Sequence, residues 1–130
     1  MIYAYPVRVR SQDNDYYLAT AVDLPGVVVG GETLPKVLRA ASDACAMWLA
    51  DAENEKETIP APSAPNGVAL EAADDFVTMV LADTNEYRQK NDTRAVKKTL
   101  SLPAWMTDQA EQSGLSLSQV LQEALRERMA

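Results

Sequence analysis

A short segment near the end of the sequence carries side chains suited to contacting nucleic acid. Between Thr93 and Thr107 there is no acidic residue, while Arg94, Lys97 and Lys98 are basic. Cationic side chains bind phosphates, and small hydroxyl groups can hydrogen-bond phosphates or base edges. In a protein whose net charge is −7, this segment is a candidate nucleic-acid contact.

Residues 95–103 of this segment alternate in the manner of a β-strand. Lys97, Thr99 and Ser101 share one face without a hydrophobe, and the other face carries Val96, Lys98, Leu100 and Leu102. A lone strand has two unpaired edges, which favours pairing with a second copy, and a two-stranded ribbon fits the DNA major groove. The alternative is that the lysines only protect an edge strand and that threonine only favours a strand.

Two helices are expected to follow this strand. Pro103 suits the first turn of a short helix that ends near Gly114, a typical C-terminal cap. Ser116 then caps a second helix, whose apolar stripe is formed by Leu117, Val120, Leu121, Ala124, Leu125 and Met129. The N-terminus of this helix, with Ser116 and Ser118, could anchor a phosphate, although Ser116 could equally serve only as the cap.

The strand and both helices resemble a ribbon-helix-helix DNA-binding domain of the Arc and MetJ type. The matching segments are residues 97–103, KKTLSLP, and residues 114–125, GLSLSQVLQEAL. The resemblance implies a homodimer through the C-terminal domain that binds double-stranded DNA. By position it assigns base contacts to Lys97, Thr99 and Ser101 and backbone contacts near Leu117 and Ser118. Arg94, Lys98 and Ser116 complete the set of candidate DNA-binding residues.

The composition excludes several classes of site. With one cysteine, Cys45, and no histidine, the chain has neither the usual zinc ligands nor an imidazole for a catalytic triad. We expect no cofactor, a buried Cys45 and a reducing compartment. No apolar run is long enough to cross a membrane and no signal peptide is evident, so a cytoplasmic location without membrane contact is expected.

The first 92 residues are acidic and indicate an α+β domain. They hold 7 basic and 15 acidic residues. Alternation predicts strands at residues 3–10, 16–22 and 27–29, the first two joined by a turn at residues 12–15. Thr33 is expected to cap a long amphipathic helix, and a proline-rich connector follows at residues 59–65. Residues 76–82 are apolar on both faces, which predicts an interior strand, and a short helix could follow at residues 83–87.

This arrangement resembles the HicB family of type II antitoxins. The resemblance rests on Asp23-Leu-Pro-Gly26, Gly31-Glu-Thr33, Trp48-Leu49 and Ile59-Pro-Ala-Pro62, together with the C-terminal segment. It implies a degraded ribonuclease H-like domain at residues 1–88, a linker at residues 89–94 and a ribbon-helix-helix domain at residues 95–130. It also implies binding and neutralisation of a HicA-type mRNA-cleaving toxin and repression of the antitoxin's own operon.

No catalytic role is expected for the first domain. Ribonuclease H chemistry needs several carboxylates that converge on two metal ions, and one of these carboxylates lies on the first strand. The first predicted strand of this chain has no acidic residue. No residue is assigned to the toxin contact, although residues 12–15 and 53–57 are candidates. Two alternatives stay open: a stand-alone regulator whose first domain senses a ligand, and, less favoured, a hydrolase. The assembly could be a dimer or a tetramer.

Overall fold

A computed structural model of the chain describes residues 1–91 and 94–130 and divides the chain into two compact units, Met1–Arg94 and Ala95–Ala130. The first unit opens with a hairpin of strands β1 (Ile2–Gln12) and β2 (Tyr16–Thr20). In the loop between them, Asn14 and Asp15 adopt positive φ angles of 66° and 55°. Asparagine and aspartate tolerate this conformation better than most residues, so the local sequence favours the turn. The predicted hairpin is confirmed.

The strands form one antiparallel sheet in the order β3-β2-β1-β4. Strand β3 (Val28–Gly31) pairs with β2, and β4 (Phe76–Asp83) pairs with β1 from Ile2 to Val9. Strand β2 pairs only with the second half of β1, from Arg8 onward. Pro6 lies before Arg8, where β2 does not pair with β1. The missing N–H of Pro6 therefore removes no hydrogen bond to β2.

The position of β4 corrects the prediction of an interior strand, because β4 lies at an edge of the sheet. On its inner face Val80 and Ala82 are buried in the core. On its outer face Met79 and Leu81 remain 41% and 65% exposed. The strand is therefore apolar on both faces although only one face is covered, and its sequence alone could not show this.

Helix α1 (Leu34–Asn54) covers one face of the sheet. The Thr33 hydroxyl accepts a hydrogen bond from the Lys36 N–H at 3.3 Å, and Pro35 occupies the first turn, where its missing N–H has no partner to lose. The predicted cap is thus confirmed. The core between helix and sheet is built from Tyr5, Val7, Val9, Ala19, Val37, Ala41, Cys45, Leu49 and Val80.

The first unit ends in a second helix that follows β4 without a loop. After α1 the chain passes through a short 3-10 turn at Pro65–Gly67 and returns as β4. Helix α2 (Thr84–Asn91) begins directly behind that strand. It includes residues 89–91, which the sequence assigned to the linker. Asp92 and Thr93 of that predicted linker lie outside the described residues.

The second unit contains the two predicted helices, α3 (Ala104–Gln112) and α4 (Leu117–Met129). Helix α3 ends in a Schellman motif, in which the N–H of Leu115 donates to the carbonyl of Ala110 at 3.0 Å and that of Gly114 donates to Glu111 at 3.1 Å. Gly114 has a φ of 68°, a conformation that glycine adopts without steric cost. The predicted cap at Gly114 is confirmed.

Residues 95–103, the predicted strand, form neither strand nor helix in the single chain. A strand is defined by a hydrogen-bond ladder to a neighbour, and the second unit offers no other extended segment among its described residues. Pro103 lies at the N-cap of α3 instead of inside its first turn.

Among the described residues, no helix combines the length and apolar character that crossing a bilayer requires.

Candidate functional site

The candidate DNA-contacting side chains lie in the exposed segment that precedes α3. Arg94, Lys97, Lys98, Thr99 and Ser101 are all solvent-exposed. Residues 95–103 form no ladder in the single chain, so no neighbouring strand orders these side chains into two faces. These side chains are close together because the residues are close in the sequence. Pairing with a partner strand would direct alternate side chains to the same face.

The remaining candidates cluster at the N-terminus of α4. The Ser116 hydroxyl accepts from the Gln119 N–H at 3.3 Å, and the Ser118 hydroxyl accepts from the Gln122 side-chain amide at 3.2 Å. The cap at Ser116 is therefore confirmed. The first N–H groups of a helix have no intrahelical acceptor, so those of Leu117 and Ser118 are available to an anion at this helix end.

The second unit exposes a surface that we call the tail apolar surface. No residue of α3 or α4 is buried, and the large hydrophobic side chains concerned are between 40% and 74% exposed. They are Val96, Leu100, Leu102, Trp105, Met106, Leu115, Leu117, Val120, Leu121, Leu125 and Met129. Apolar area in water costs roughly 25 cal/mol per Å², and so many exposed large hydrophobic side chains in one short unit indicate an interaction site.

A hydrogen-bonded network in the first unit centres on Glu53, near the end of α1. Its carboxylate accepts from the Tyr3 hydroxyl at 2.7 Å and pairs with Arg88 at 2.8 Å. Burial would raise the pKa of Glu53, but the hydrogen bonds from Tyr3, Arg88 and Thr84 outweigh it and lower that pKa. The same hydrogen bond to Glu53, with burial and the carboxylate charge, raises the pKa of Tyr3 to about 12. The network ties β1, α1 and α2 together.

Two other carboxylates of the first unit are also engaged in structure. Asp23 accepts from the N–H of Ser63 at 2.9 Å and from its hydroxyl at 2.6 Å, which fixes the proline-rich connector. Asp75 forms a two-bond ion pair with Arg10. Among residues 1–91 and 94–130, no three carboxylate or cysteine side chains gather in a group that could hold a metal ion.

Of the segments considered for the toxin contact, the β1–β2 loop is the more accessible. Asp13 and Asp15 are exposed there, and the loop lines a shallow hollow that Glu32 also borders. In the other segment, residues 53–57, the Glu53 carboxylate is already hydrogen-bonded within its network, and Glu55 and Glu57 are exposed.

Cys45 is buried as predicted, and burial raises the pKa of its thiol to about 11.

The sequence did not indicate a groove of the first unit that lies beside the edge strand β4. It measures about 760 Å³, and its lining includes Ile2, Ser42, Met47, Leu81, Tyr87 and Lys90. The Ser42 hydroxyl, on α1, donates to the carbonyl of Leu81 across this groove. The signal that could have suggested an edge is the unbroken apolar run of residues 76–82, but the same run also fits an interior strand.

The four-stranded antiparallel sheet and the four helices define an α+β protein built like the HicB antitoxins. Similar solved structures include a toxin-antitoxin complex from Streptococcus pneumoniae, with 25% identity, a TM-score of 0.64, and coverage of 98% of this chain and 99% of that chain. The antitoxin HicB of Burkholderia pseudomallei is 19% identical, with a TM-score of 0.57 and coverage of 98% and 99%. Among curated proteins, none matches this chain.

A family comparison makes the assignment more specific. Residues 5–124 match the model of the HicB-like antitoxin of bacterial toxin-antitoxin systems. The match spans most of both units. The chain therefore belongs to the HicB-like antitoxin family.

Proposed function

We propose that this chain is the antitoxin of a HicAB-type system and acts through two separate surfaces. The first unit, a degraded ribonuclease H-like domain, binds and neutralises a HicA-type mRNA-cleaving toxin. The second unit dimerises as a ribbon-helix-helix domain and binds operator DNA, which represses the antitoxin's own operon. Support comes from the family match and from the similarity to a solved toxin-antitoxin complex.

The observation that carries the DNA-binding part is the tail apolar surface. A unit whose two helices bury none of their residues needs a partner to remove its hydrophobic side chains from water. A second copy supplies the same surface, and it also supplies the missing neighbour for residues 95–103. Homodimerisation therefore satisfies the apolar side chains and the unpaired backbone together.

In that dimer the alternation of side chains separates two roles. When residues 95–103 pair with their counterpart, Leu100 and Leu102 face the helices and Lys97, Thr99 and Ser101 face away from them. The outward face of the ribbon then offers cations and hydroxyls to base edges in the major groove. At the N-terminus of α4, the N–H groups of Leu117 and Ser118 bind the adjacent DNA phosphate. Arg94 and Lys98 add contacts to the DNA backbone.

The toxin contact is proposed to be electrostatic and steric. Residues 1–92 carry 15 acidic and 7 basic side chains, and a toxin that cleaves RNA needs a basic surface for phosphates. Carboxylates such as Asp13 and Asp15, exposed at the β1–β2 loop, are suited to occupy that surface. The chain contributes no catalysis in this proposal, since Asp23, Glu53 and Asp75 are engaged in structural hydrogen bonds.

A growth and reporter assay tests both parts at once. The toxin candidate is the product of the gene adjacent to this one, and it is expressed with the full-length chain in cells that carry a promoter reporter. The wild-type chain should restore growth and repress the reporter. The Lys97→Ala/Thr99→Ala variant should restore growth equally well but lose repression. Repression without any restoration of growth would instead support a stand-alone, ligand-sensing regulator.

A further inference from the structure

An exposed tyrosine lies at the end of the β1–β2 hairpin. Tyr16 is the first residue of β2 and is 41% exposed. Its neighbour Tyr17 packs against the core below α1, so Tyr16 points to the opposite face of the sheet. A Cβ atom added to Gly30 of β3 would lie 2.4 Å from the Tyr16 hydroxyl oxygen and 2.8 Å from its Cε1. The far edge of the ring therefore occupies the space that a side chain at position 30 would fill.

The close approach of this ring accounts for glycine at position 30. Within the described residues, the glycines with positive φ are Gly26 and Gly114, so Gly30 does not have the backbone conformation that favours glycine. A glycine inside a strand lowers its stability and often marks a place where another group comes close. Here that group is the Tyr16 ring, which lies across β3. Because the ring is already held in place, less side-chain freedom is lost when a partner binds it.

Exposed carboxylates border the same ring. Asp13, Asp15 and Glu32 line one hollow together with Tyr16. Within the described residues, Asp13 and Asp15 form no ion pair, and Glu32 lies 3.8 Å from the exposed Lys36. An exposed pair of this kind contributes little. Other carboxylates of the first unit are paired with arginine or lysine of the same unit, namely Glu53, Glu71, Asp75 and Glu86. The negative charge at the hairpin end is therefore left uncompensated.

Val28 extends the apolar part of this region along β3. Val28 and Gly30 are alternate residues of one strand and therefore share a face, and Val28 is 58% exposed. We name this region the hairpin-end surface, which consists of Asp13, Asp15, Tyr16, Val28 and Glu32. It has an aromatic and aliphatic centre and a charged rim, which is the arrangement of a protein–protein contact with an aromatic anchor.

We propose that the hairpin-end surface binds an arginine side chain of the toxin. The guanidinium stacks on the exposed part of the Tyr16 ring and pairs with the rim carboxylates. Arginine suits both contacts, because its planar cation stacks on aromatic rings and its N–H groups pair with a carboxylate through two parallel hydrogen bonds. The inference rests on the proposed function, which supplies the toxin. It adds the residue that anchors the toxin and the chemistry that this residue recognises.

The sign of the charge selects a basic protein over a second copy or DNA. In a two-fold contact the same patch meets itself, so a second copy would bring the rim carboxylates opposite one another. DNA would bring phosphates to the same carboxylates. Both contacts place like charges together, which costs affinity. Residues 1–92 carry 15 acidic and 7 basic side chains, so the whole first unit adds to the attraction for a cationic partner.

Calorimetry with an inactivated form of the adjacent gene's product tests the anchor. Full-length Tyr16→Ala, checked for its fold by circular dichroism, should bind roughly 30-fold more weakly than wild type, which is the size of a hot-spot loss. Leu70→Ala removes another exposed large hydrophobic side chain of the same unit and should bind as wild type. Wild-type affinity in Tyr16→Ala would overturn the inference and leave the proposed function intact. No binding by the wild-type chain would contradict the proposed function itself.

Gly30→Ala tests whether the position of the ring matters. The added methyl group should displace the ring from β3 and weaken toxin binding. In Tyr16→Ala/Gly30→Ala the space is open, so the double variant should bind no more weakly than Tyr16→Ala. This non-additivity would show that the glycine acts through the ring. Additive losses would show that Gly30 affects toxin binding independently of Tyr16 and would contradict the anchoring of the ring.

Charge variants test the recognition of arginine. Asp13→Asn/Asp15→Asn should slow toxin association and reduce its salt dependence. Glu55→Gln/Glu57→Gln removes the same number of exposed charges elsewhere in the unit and should change both much less. On the toxin, one arginine-to-lysine replacement should weaken binding to the wild-type chain but not to Tyr16→Ala. Arginine replacements that all weaken binding to both chains equally would overturn the inference.

Two further measurements identify other occupants of the hairpin-end surface. Tyr16→Ala should keep the wild-type mass by light scattering and the wild-type operator affinity by fluorescence anisotropy. A lower mass would assign the surface to a second copy, and weaker operator binding would assign it to DNA. Either result would overturn the inference.

Discussion

Arg10 and Asp75 form a two-bond ion pair that joins the end of β1 to the residue just before β4. The Arg10 Nε donates to one carboxylate oxygen at 2.9 Å and Nη2 donates to the other at 3.0 Å. The Asp75 side chain is inaccessible to solvent, and it also accepts from the N–H groups of Glu71 and Ala72. These contacts fix the start of the edge strand.

The ion pair should make the stability of the first unit depend on pH. The hydrogen bond from Arg10 lowers the pKa of Asp75, outweighing burial, which would raise it, and the two backbone N–H groups lower it further. A carboxylate with a lowered pKa stabilises the fold above its unfolded pKa, about 3.9, and that contribution is lost as the pH falls below it. Asp75→Asn should therefore be less stable than wild type at pH 7, and the difference should narrow below about pH 4.

Urea unfolding monitored by circular dichroism between neutral and acidic pH measures this difference. Asp74→Asn is the matched control, because Asp74 is the exposed neighbour and should leave the pH dependence unchanged. A difference in the free energy of unfolding between Asp75→Asn and wild type that stays constant across this pH range would contradict the role assigned to the ion pair.

Cys45 should be unreactive in the folded protein. Its side chain is buried in the core, and burial raises the pKa of the thiol to about 11, so little thiolate exists at pH 8. A thiol reagent such as DTNB should react with one group per chain only after denaturation. Rapid labelling of the native protein would show that the core around α1 opens readily.

Lys97 and Thr99 should both contribute to operator affinity through base contacts. Removing a base contact costs about 1–3 kcal/mol, and removing a phosphate contact weakens binding to all sequences and lowers the salt dependence. Lys97→Ala and Thr99→Ala should each weaken operator binding by this amount if both contact bases. Fluorescence anisotropy with operator and scrambled duplexes at several salt concentrations distinguishes the cases. The control is Lys56→Ala in the first unit, which should bind as wild type.

Leu121 should be required for assembly of the DNA-binding unit. Its side chain is 40% exposed in the single chain, and an aspartate there would place a charge inside the proposed dimer core. Leu121→Asp should lose operator binding and halve the mass measured by light scattering. Glu123→Ala changes the polar face of the same helix and should retain both properties. Full DNA binding by Leu121→Asp would exclude the tail apolar surface as the dimer interface.

Much of the fold could be predicted because its signals are local. The turn at Asn14, the cap at Thr33 and the Schellman glycine at Gly114 each depend on residues within a few positions of one another. The helical stripe of α1 likewise repeats at a fixed spacing. Such features can be identified in a single sequence without knowledge of the tertiary contacts.

The features that the sequence did not indicate depend on distant or intermolecular contacts. Arg10 and Asp75 are separated by 65 positions and Tyr3 and Glu53 by 50, and nothing local links them. The edge position of β4 is decided by which strands pair, which its composition does not encode. A strand at residues 95–103 was predicted from alternation, but none of the described residues of the single chain pairs with this segment to form a ladder.

The most direct test of the central claim is the affinity of the purified chain for the product of the adjacent gene. Because such a toxin arrests growth, a catalytically inactivated form can be produced and titrated against the antitoxin by calorimetry. The full-length chain should form a tight complex, and Lys97→Ala/Thr99→Ala should bind the toxin with unchanged affinity because its first unit is intact. No measurable binding by the wild-type chain would contradict the assignment as a HicA-neutralising antitoxin.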